Sequence, residues 1–435
     1  MNPKLSFTFF LLFIFFSVNA QENSPFSRYG LGDIYPSQNI INRAMGGISS
    51  TYANGQSINL GNPAAYSELK IVTYDIGISL DTRTLKSANP IGKYNSVNLT
   101  PSYVALGMPL SKKRNLGLAF GLKPLSRVSY SIEDDKRIAA DSINYLYSGD
   151  GGLYQAFVGV GKRWGGLRIG INTGYMFGTK QNNTITTPVD SIYTYPSNSQ
   201  TLTSFNKLFL NAGLQYDAKL SKTSTLRFGL SGNLKQKLNA QQQRNRETFT
   251  YNANGVMTKV DSVYQTDEQK GKIDYPLSYA AGISLNSNIT DHLGNKFEKS
   301  LLAVEYATTK WADYRFLDQP DKLINSWQLK IGGQLTPNPL SIKSYWNRVS
   351  YRAGIYYGKE AVSTEGNGLA ISALTLGAGF PIRKWSVYDN QYTIINTTIE
   401  IGKRGNKNDN ITENFFRLSL GLNLSDIWFR KRKYE

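Results

Sequence analysis

The chain carries 49 Lys and Arg against 31 Asp and Glu over 435 residues, a formal charge of +18. With no Cys and one His (His292), it cannot build a disulfide framework, a thiolate metal site, a thiol nucleophile or a multi-histidine centre. Charged residues make up 18% and aromatics 12%, with 39 Gly and 28 Tyr, which excludes a disordered chain and suits one large sheet architecture.

Residues 1–20 read as a signal peptide. Lys4 supplies the positive end, residues 5–18 form an apolar stretch too short to span a bilayer, and Val18-Asn19-Ala20 is a small-residue cleavage pattern. The mature chain is expected to start at Gln21. No Cys follows the cleavage point, so lipidation is not expected. No later run is apolar for long enough to make a transmembrane helix, which leaves a soluble secreted protein or a transmembrane β-barrel.

Residues 21–70 do not alternate. They contain Ser24-Pro25-Phe26-Ser27-Arg28-Tyr29-Gly30-Leu31-Gly32-Asp33, then Arg43-Ala44-Met45-Gly46-Gly47, then Asn62-Pro63-Ala64. Such Gly, Asn and Pro punctuation predicts turns and short helical pieces, with no membrane-crossing element.

From residue 71 the pattern changes to a period of two. Val72, Tyr74, Ile76, Ile78 and Leu80 alternate with Thr73, Asp75, Gly77 and Ser79, and Leu167, Ile169, Ile171, Tyr175 and Phe177 alternate with Arg168, Gly170, Asn172, Gly174 and Met176. The same device recurs in 115–123, 225–235 and 415–424. A period of two places each apolar set on one sheet face, while Arg, Asn, Asp, Ser and Gly take the other. About fourteen such strands are expected, beginning near 71, 98, 115, 150, 167, 205, 225, 272, 300, 324, 348, 369, 392 and 414.

Three features separate a membrane barrel from a soluble sandwich. Short links (110–114, 164–166, 219–224) take turns with long polar ones (133–150, 180–204, 239–271), as in outer-membrane barrels. The tryptophans fall at expected strand ends, with Trp164, Trp346, Trp385 and Trp428 on the short-turn side and Trp311 and Trp327 on the long-loop side. The last strand ends on Ile427-Trp428-Phe429, an aromatic finish of the outer-membrane kind, followed by a basic tail at 430–435. The expected fold is therefore all-β: a transmembrane antiparallel barrel over 71–429, in the outer membrane, with 21–70 folded into its lumen as a plug. An even strand count puts both barrel ends on the periplasmic side.

No phosphate-binding loop, zinc-protease helix or nucleophile elbow is present, and no enzyme, metal or cofactor is expected. Acidic pairs such as Glu133-Asp134-Asp135 fall in expected surface loops, and His292 falls in a short turn. The positive charge gathers in short turns, at Lys112-Lys113-Arg114, Lys162-Arg163 and Arg383-Lys384, and in the tail from Arg430 to Lys433. Cations there meet lipid phosphates or an acidic periplasmic partner, and no nucleic-acid platform accompanies them.

The block R-A-M-G-G…N-P-A resembles the N-terminal hatch of the FadL family, outer-membrane transporters of long-chain fatty acids and aromatic hydrocarbons. Later residues are similar in order to that family's C-terminal half: Val304-Glu305-Tyr306, Thr309-Lys310-Trp311-Ala312-Asp313-Tyr314 and Tyr351-Arg352-Ala353-Gly354-Ile355. The opening S-P-F-S-R-Y-G-L-G-D departs from the fatty-acid transporters and marks a divergent branch. The resemblance implies passive transport of a hydrophobic small molecule. Phe26, Tyr29, Asn62, Pro63 and Ala64 would form the hatch site, and Pro124, inside the third strand, would mark a lateral gap. It also implies an alternative. The related PorV barrel of the type IX secretion system serves a protein machine, so this chain would partner an outer-membrane secretion or assembly machine. An apolar lumen favours transport, whereas a polar, tightly filled lumen favours the partner role.

Overall fold

Strands that face lipid must pair on both sides, because hydrocarbon offers their backbone no other hydrogen-bond partner. The computed structural model describes residues 24–426 apart from 89–90, 139–140, 191–193, 292–295, 365–366, 384–391 and 407–408. The signal peptide, His292, Trp385, Trp428 and the basic tail lie outside the described residues.

Fourteen antiparallel strands form the wall. They are β1 (Val72–Ser87), β2 (Gly92–Ser111), β3 (Leu116–Ile138), β4 (Asp141–Trp164), β5 (Leu167–Pro188), β6 (Ser197–Lys219) and β7 (Ser224–Asn233). The ring continues with β8 (Ser278–Thr290), β9 (Lys296–Thr309), β10 (Ser326–Leu335), β11 (Ser350–Thr364), β12 (Asn367–Arg383), β13 (Tyr392–Arg404) and β14 (Ile411–Asp426). It closes where β14 pairs β1, from Val72↔Asp426 to Ser87↔Ile411. Beyond the break at Leu234-Lys235, an upper arm (Gln236–Tyr251) continues the line of β7. It pairs with β6 on one side and with Gln269–Tyr275, the upper arm of β8, on the other.

The fourteen starts match the expected ones in order, but the strands are longer on the far side. Much of the expected loops at 133–150, 180–204 and 239–271 is paired strand. The physical reason is that a strand ladder does not need lipid. Past the hydrocarbon both faces are wet, so Asn, Gln, Thr and Ser occupy both and the alternation disappears while the pairing continues.

Outward side chains form an apolar belt round the barrel, including Ile76, Val104, Phe120, Val158, Ile171, Leu210, Leu230, Ile283, Val304, Ile331, Ile355, Leu374, Ile401 and Leu420. Exposed apolar area on this scale marks a lipid surface. Trp327 extends the belt upward, stacked on Tyr306 and edge-on to Tyr357. Trp164 is exposed at the opposite rim with the Lys162 ammonium 4.4 Å from its ring centre, and Trp346 is exposed in the turn before β11. Trp311 corrects the expected girdle. It is 6% exposed and packs inside the lumen against Tyr275 and Tyr314, because the chain after β9 folds inward as a short 3-10 turn (Trp311–Asp313).

Residues 24–71 fill the lumen. Ile40, Ile48, Ile58, Met45, Tyr52 and Tyr66 of this plug are fully buried, and inward wall residues such as Tyr103, Leu153, Phe157 and Met176 pack round it. Each such side chain contributes about 1.5–3 kcal/mol on burial. The hydrophobic core of this protein is therefore the contact between its plug and its wall.

The belt sets a clear expectation for Leu230→Arg on β7. A guanidinium at mid-height of the lipid face should destabilise folding into vesicles by about 2–4 kcal/mol in a denaturant titration.

Candidate functional site

The plug builds itself from asparagine side chains. Asn39 caps the short helix α1 (Ile40–Arg43), accepting from the Asn42 amide at 2.9 Å, while its own amide donates to the Ile58 carbonyl at 2.7 Å. Asn59 donates to the carbonyls of Ser49 (2.6 Å) and Tyr52 (2.7 Å). Asn62 accepts from the Ala64 amide at 3.0 Å and donates to the Ser50 carbonyl at 2.6 Å. These local bonds replace a regular backbone ladder and fix a compact shape without one. Glycines let that shape meet the wall backbone to backbone. A Cβ on Gly170 would lie 2.3 Å from the Pro63 carbonyl, and one on Gly354 would lie 2.3 Å from the Met45–Gly46 peptide. Gly46 itself (φ +70) donates its amide to the Thr375 hydroxyl at 2.9 Å.

Charged side chains on the inner strand faces then clamp the plug. Asp33 is held by Arg404 (2.7 Å) and Arg83 (3.2 Å), with Arg404 also on Glu360 and Glu413. Arg43 faces Glu400 at 3.7 Å and donates to the Ser79 hydroxyl at 2.9 Å, while Arg417 pairs with Asp81 and with Glu400. Glu68 takes Arg163 and Arg168, each at 3.1 Å, and Arg168 and Arg227 share Asp217. Glu305, paired with Lys330 at 3.0 Å, accepts the Ser49 and Ser50 amides, both at 2.7 Å. A buried pair adds little net stability, but removing one member strands a charge at about 3–5 kcal/mol. These pairs therefore specify where the plug sits.

One part of the wall is not closed by its own strands. β2 and β3 pair only from Val104↔Leu122 to Ser111↔Leu116. Above that fork each strand carries a proline at a bulge: Pro101 on β2, where the register against β1 shifts, and Pro124 on β3, where the register against β4 shifts. The plug fills the opening. Asp33 and Ile34 pair as a strand with Arg127 and Ser126 of β3, and the Tyr35 amide donates to the Leu125 carbonyl at 3.0 Å. Toward β2, the Tyr35 hydroxyl lies 3.1 Å from Thr100 and 3.2 Å from Ser102.

The residues singled out from sequence do not form one site. Tyr29 lines an internal cavity of about 420 Å³, with Leu31, Met176, Tyr275 and Trp311 on its apolar side and Lys123, Gln155 and Arg43 on its polar side. Phe26 is buried, its ring centre 4.7 Å from the Arg404 guanidinium carbon. Asn62, Pro63 and Ala64 sit apart, buried against Gly170 of β5 and Gly213 of β6. Pro124 is at the β2–β3 fork.

A family model matches residues 1–435, the whole sequence, and its description reads BamG. The chain belongs to the BamG family. Among solved structures, this BamG-family barrel is similar to the toluene transporter TodX of Pseudomonas putida, with 14% identity over 91% of this chain and 100% of that one at a TM-score of 0.58. It is also similar to the toluene transporter TbuX of Ralstonia pickettii (13%, 91% and 99%, TM-score 0.53) and to a FadL homologue of Pseudomonas aeruginosa (10%, 91% and 99%, TM-score 0.52). No curated protein matches. The fold is thus the FadL-type outer-membrane barrel, in a divergent branch.

Sequence reasoning missed the clamp and one lip of the fork in this BamG-family chain. The inward charges were visible on the polar faces of the strands, but which ones meet depends on register. Pro101 lies near the start expected for its strand, where a proline raises no alarm.

One expectation follows. Gly170→Val should leave a folded barrel on a heat-modifiability gel while exposing the plug to protease, because the new side chain occupies the space of the Pro63 carbonyl.

Proposed function

We propose that this protein is an accessory barrel that partners a protein-secretion or assembly machine of the outer membrane, with its own lumen kept shut. The observation that carries this reading is the clamp: plug residues Asp33, Arg43 and Glu68 and the Ser49–Ser50 amides all meet buried wall charges. Clearing the lumen breaks all of these pairs at once, so the plug is held as a body at many points of the wall. The likeness to the hydrocarbon channels is one of fold and does not by itself argue for transport. The periplasmic turn tips support it as well: Lys112, Lys113 and Arg114 on the β2–β3 turn and Lys219 and Lys222 on the β6–β7 turn are exposed and suit an acidic docking face.

A second reading, passive transport of a hydrophobic small molecule, is favoured by the apolar side of the internal cavity around Leu31, Tyr275 and Trp311. Export through a cleaved signal peptide at Ala20 belongs to both readings.

Depletion in the native cell separates them. The partner role predicts that other outer-membrane or secreted proteins fall in abundance while uptake of toluene and fatty acids is unchanged. The complex purified in mild detergent should keep a stoichiometric protein companion. Lost uptake of the hydrophobic probes, with the outer-membrane protein profile intact and co-purified lipid in place of a companion, would establish transport instead.

A further inference from the structure

One sector of the outer face is hollowed. A groove of about 800 Å³ crosses the strands from β10 to β1, with Ala373 of β12 and Gly402 of β13 in its floor. Its sides are exposed side chains of the apolar belt, among them Ile331, Ile355, Leu374, Ile401 and Phe416. Its upper edge is polar. Ser372, Lys403, Asn414 and Thr84 stand side by side on β12, β13, β14 and β1, through the pairs Ser372↔Lys403, Lys403↔Asn414 and Asn414↔Thr84.

More cations stand just above that edge. Lys359 on β11 and Lys86 on β1 flank Lys403, each two strands away, and Lys93 of β2 is the direct cross-strand partner of Lys86. All four lysines are exposed. Among the described residues none of them has an ion-pair partner, and no acidic side chain shares the outward positions of these strands at this height. Two observations point to an anion. Like charges directly opposed in an antiparallel pair repel, so Lys86 and Lys93 together cost stability unless a negative group lies between them. The charge is also one-sided: on β5 and β6 the outward residues just above the belt, Thr179, Ser204 and Asn206, are uncharged.

The barrel's ends at Val72 and Asp426 lie on the periplasmic side, so these lysines, near the opposite strand ends, stand at the surface of the outer leaflet. Lysines at that level reach headgroup phosphate while their stems stay on apolar surface. We propose that this sector is a seat for a phosphorylated glycolipid of the outer leaflet, with phosphate held by Lys403 and the Lys86–Lys93 pair and an acyl chain laid in the groove across Leu374, Ile401 and Phe416. The row of Ser372, Asn414 and Thr84 offers hydroxyl and amide groups to sugar hydroxyls, which favours a glycolipid over a simple phospholipid. The seat depends on the wall and its membrane alone and stands whether the barrel carries a ligand or serves a partner.

The test uses the mature barrel purified in mild detergent and checked for heat-modifiability on a gel. Binding of bisphosphorylated lipid A is titrated by native mass spectrometry, beside dephosphorylated lipid A and phosphatidylglycerol. Lipid A should bind about tenfold or more tighter than either comparison lipid. Lys86→Gln, Lys93→Gln and Lys403→Gln together should weaken it about tenfold or more. Removing the same charge from the exposed Lys237, Lys270 and Lys272 of the upper arms should leave it unchanged. Ser372→Trp, which fills the groove and keeps every lysine, should weaken binding about three- to tenfold by displacing the acyl chain. Binding unaltered by the three lysine changes, or weakened equally by the upper-arm changes, would overturn the phosphate seat. A comparison lipid bound as tightly as lipid A would overturn the phosphorylated glycolipid, and unaltered binding in Ser372→Trp would overturn the groove.

Discussion

In lipid, a peptide group that finds no partner in the protein finds none at all. Everything else in this molecule is arranged round that constraint. It forces fourteen segments into a closed ring, and it explains why the plug enters the wall as a strand. Where the bulges at Pro101 and Pro124 drive β2 and β3 apart, the exposed edge of β3 still needs donors and acceptors, and Asp33, Ile34 and Tyr35 supply them. The stopper is therefore part of the cylinder, and the cylinder is incomplete without it.

A second constraint follows from the first. Most apolar strand side chains are committed to the outside, so the inner faces are left largely with polar residues and glycine, beside a few apolar ones such as Leu153 and Phe157. A polar lumen either holds water or is filled by something that satisfies it. Here it is filled. The plug brings Asp33, Arg43 and Glu68 to wall charges of opposite sign, and it presents the Ser49 and Ser50 amides to Glu305. Because pairs of this kind stabilise little and punish mismatch heavily, they act chiefly on position. Apolar contacts such as Ile58 and Tyr66 with the wall hold the plug in, and the charges decide its seat.

This division explains what could be read from the sequence. Lipid selects every second residue for hydrophobicity, so strands such as β5 and β14 announced themselves, and their count and order were legible. Above the belt that selection stops, and paired strand at 180–188 and 197–204 looked like loop. The plug was legible as a non-alternating block, yet its internal bonds run from Asn side chains to carbonyls many residues away, which spacing alone does not reveal. Inward charges were visible one at a time. Asp81 and Arg417 are adjacent only because β1 closes onto β14, a neighbour relation spanning 336 residues. Trp311 shows the opposite failure. An indole at a strand end resembles an interface anchor, and only the inward fold of the next turn makes it core.

The comparison with the hydrocarbon channels sharpens what the fold alone leaves open. This barrel places an apolar belt, a plug and a fork between its second and third strands at the disposal of any function that needs them. Whether such a cylinder conducts depends on how firmly its plug is seated against its own wall. In this chain the seat combines backbone-to-backbone contact at Gly170 and Gly354 with charges paired on several sides, so the plug as a body has little room to shift. At the fork the seat is of another kind: Asp33 and Ile34 join the wall by backbone pairing with β3, so the plug there is held as a strand is held.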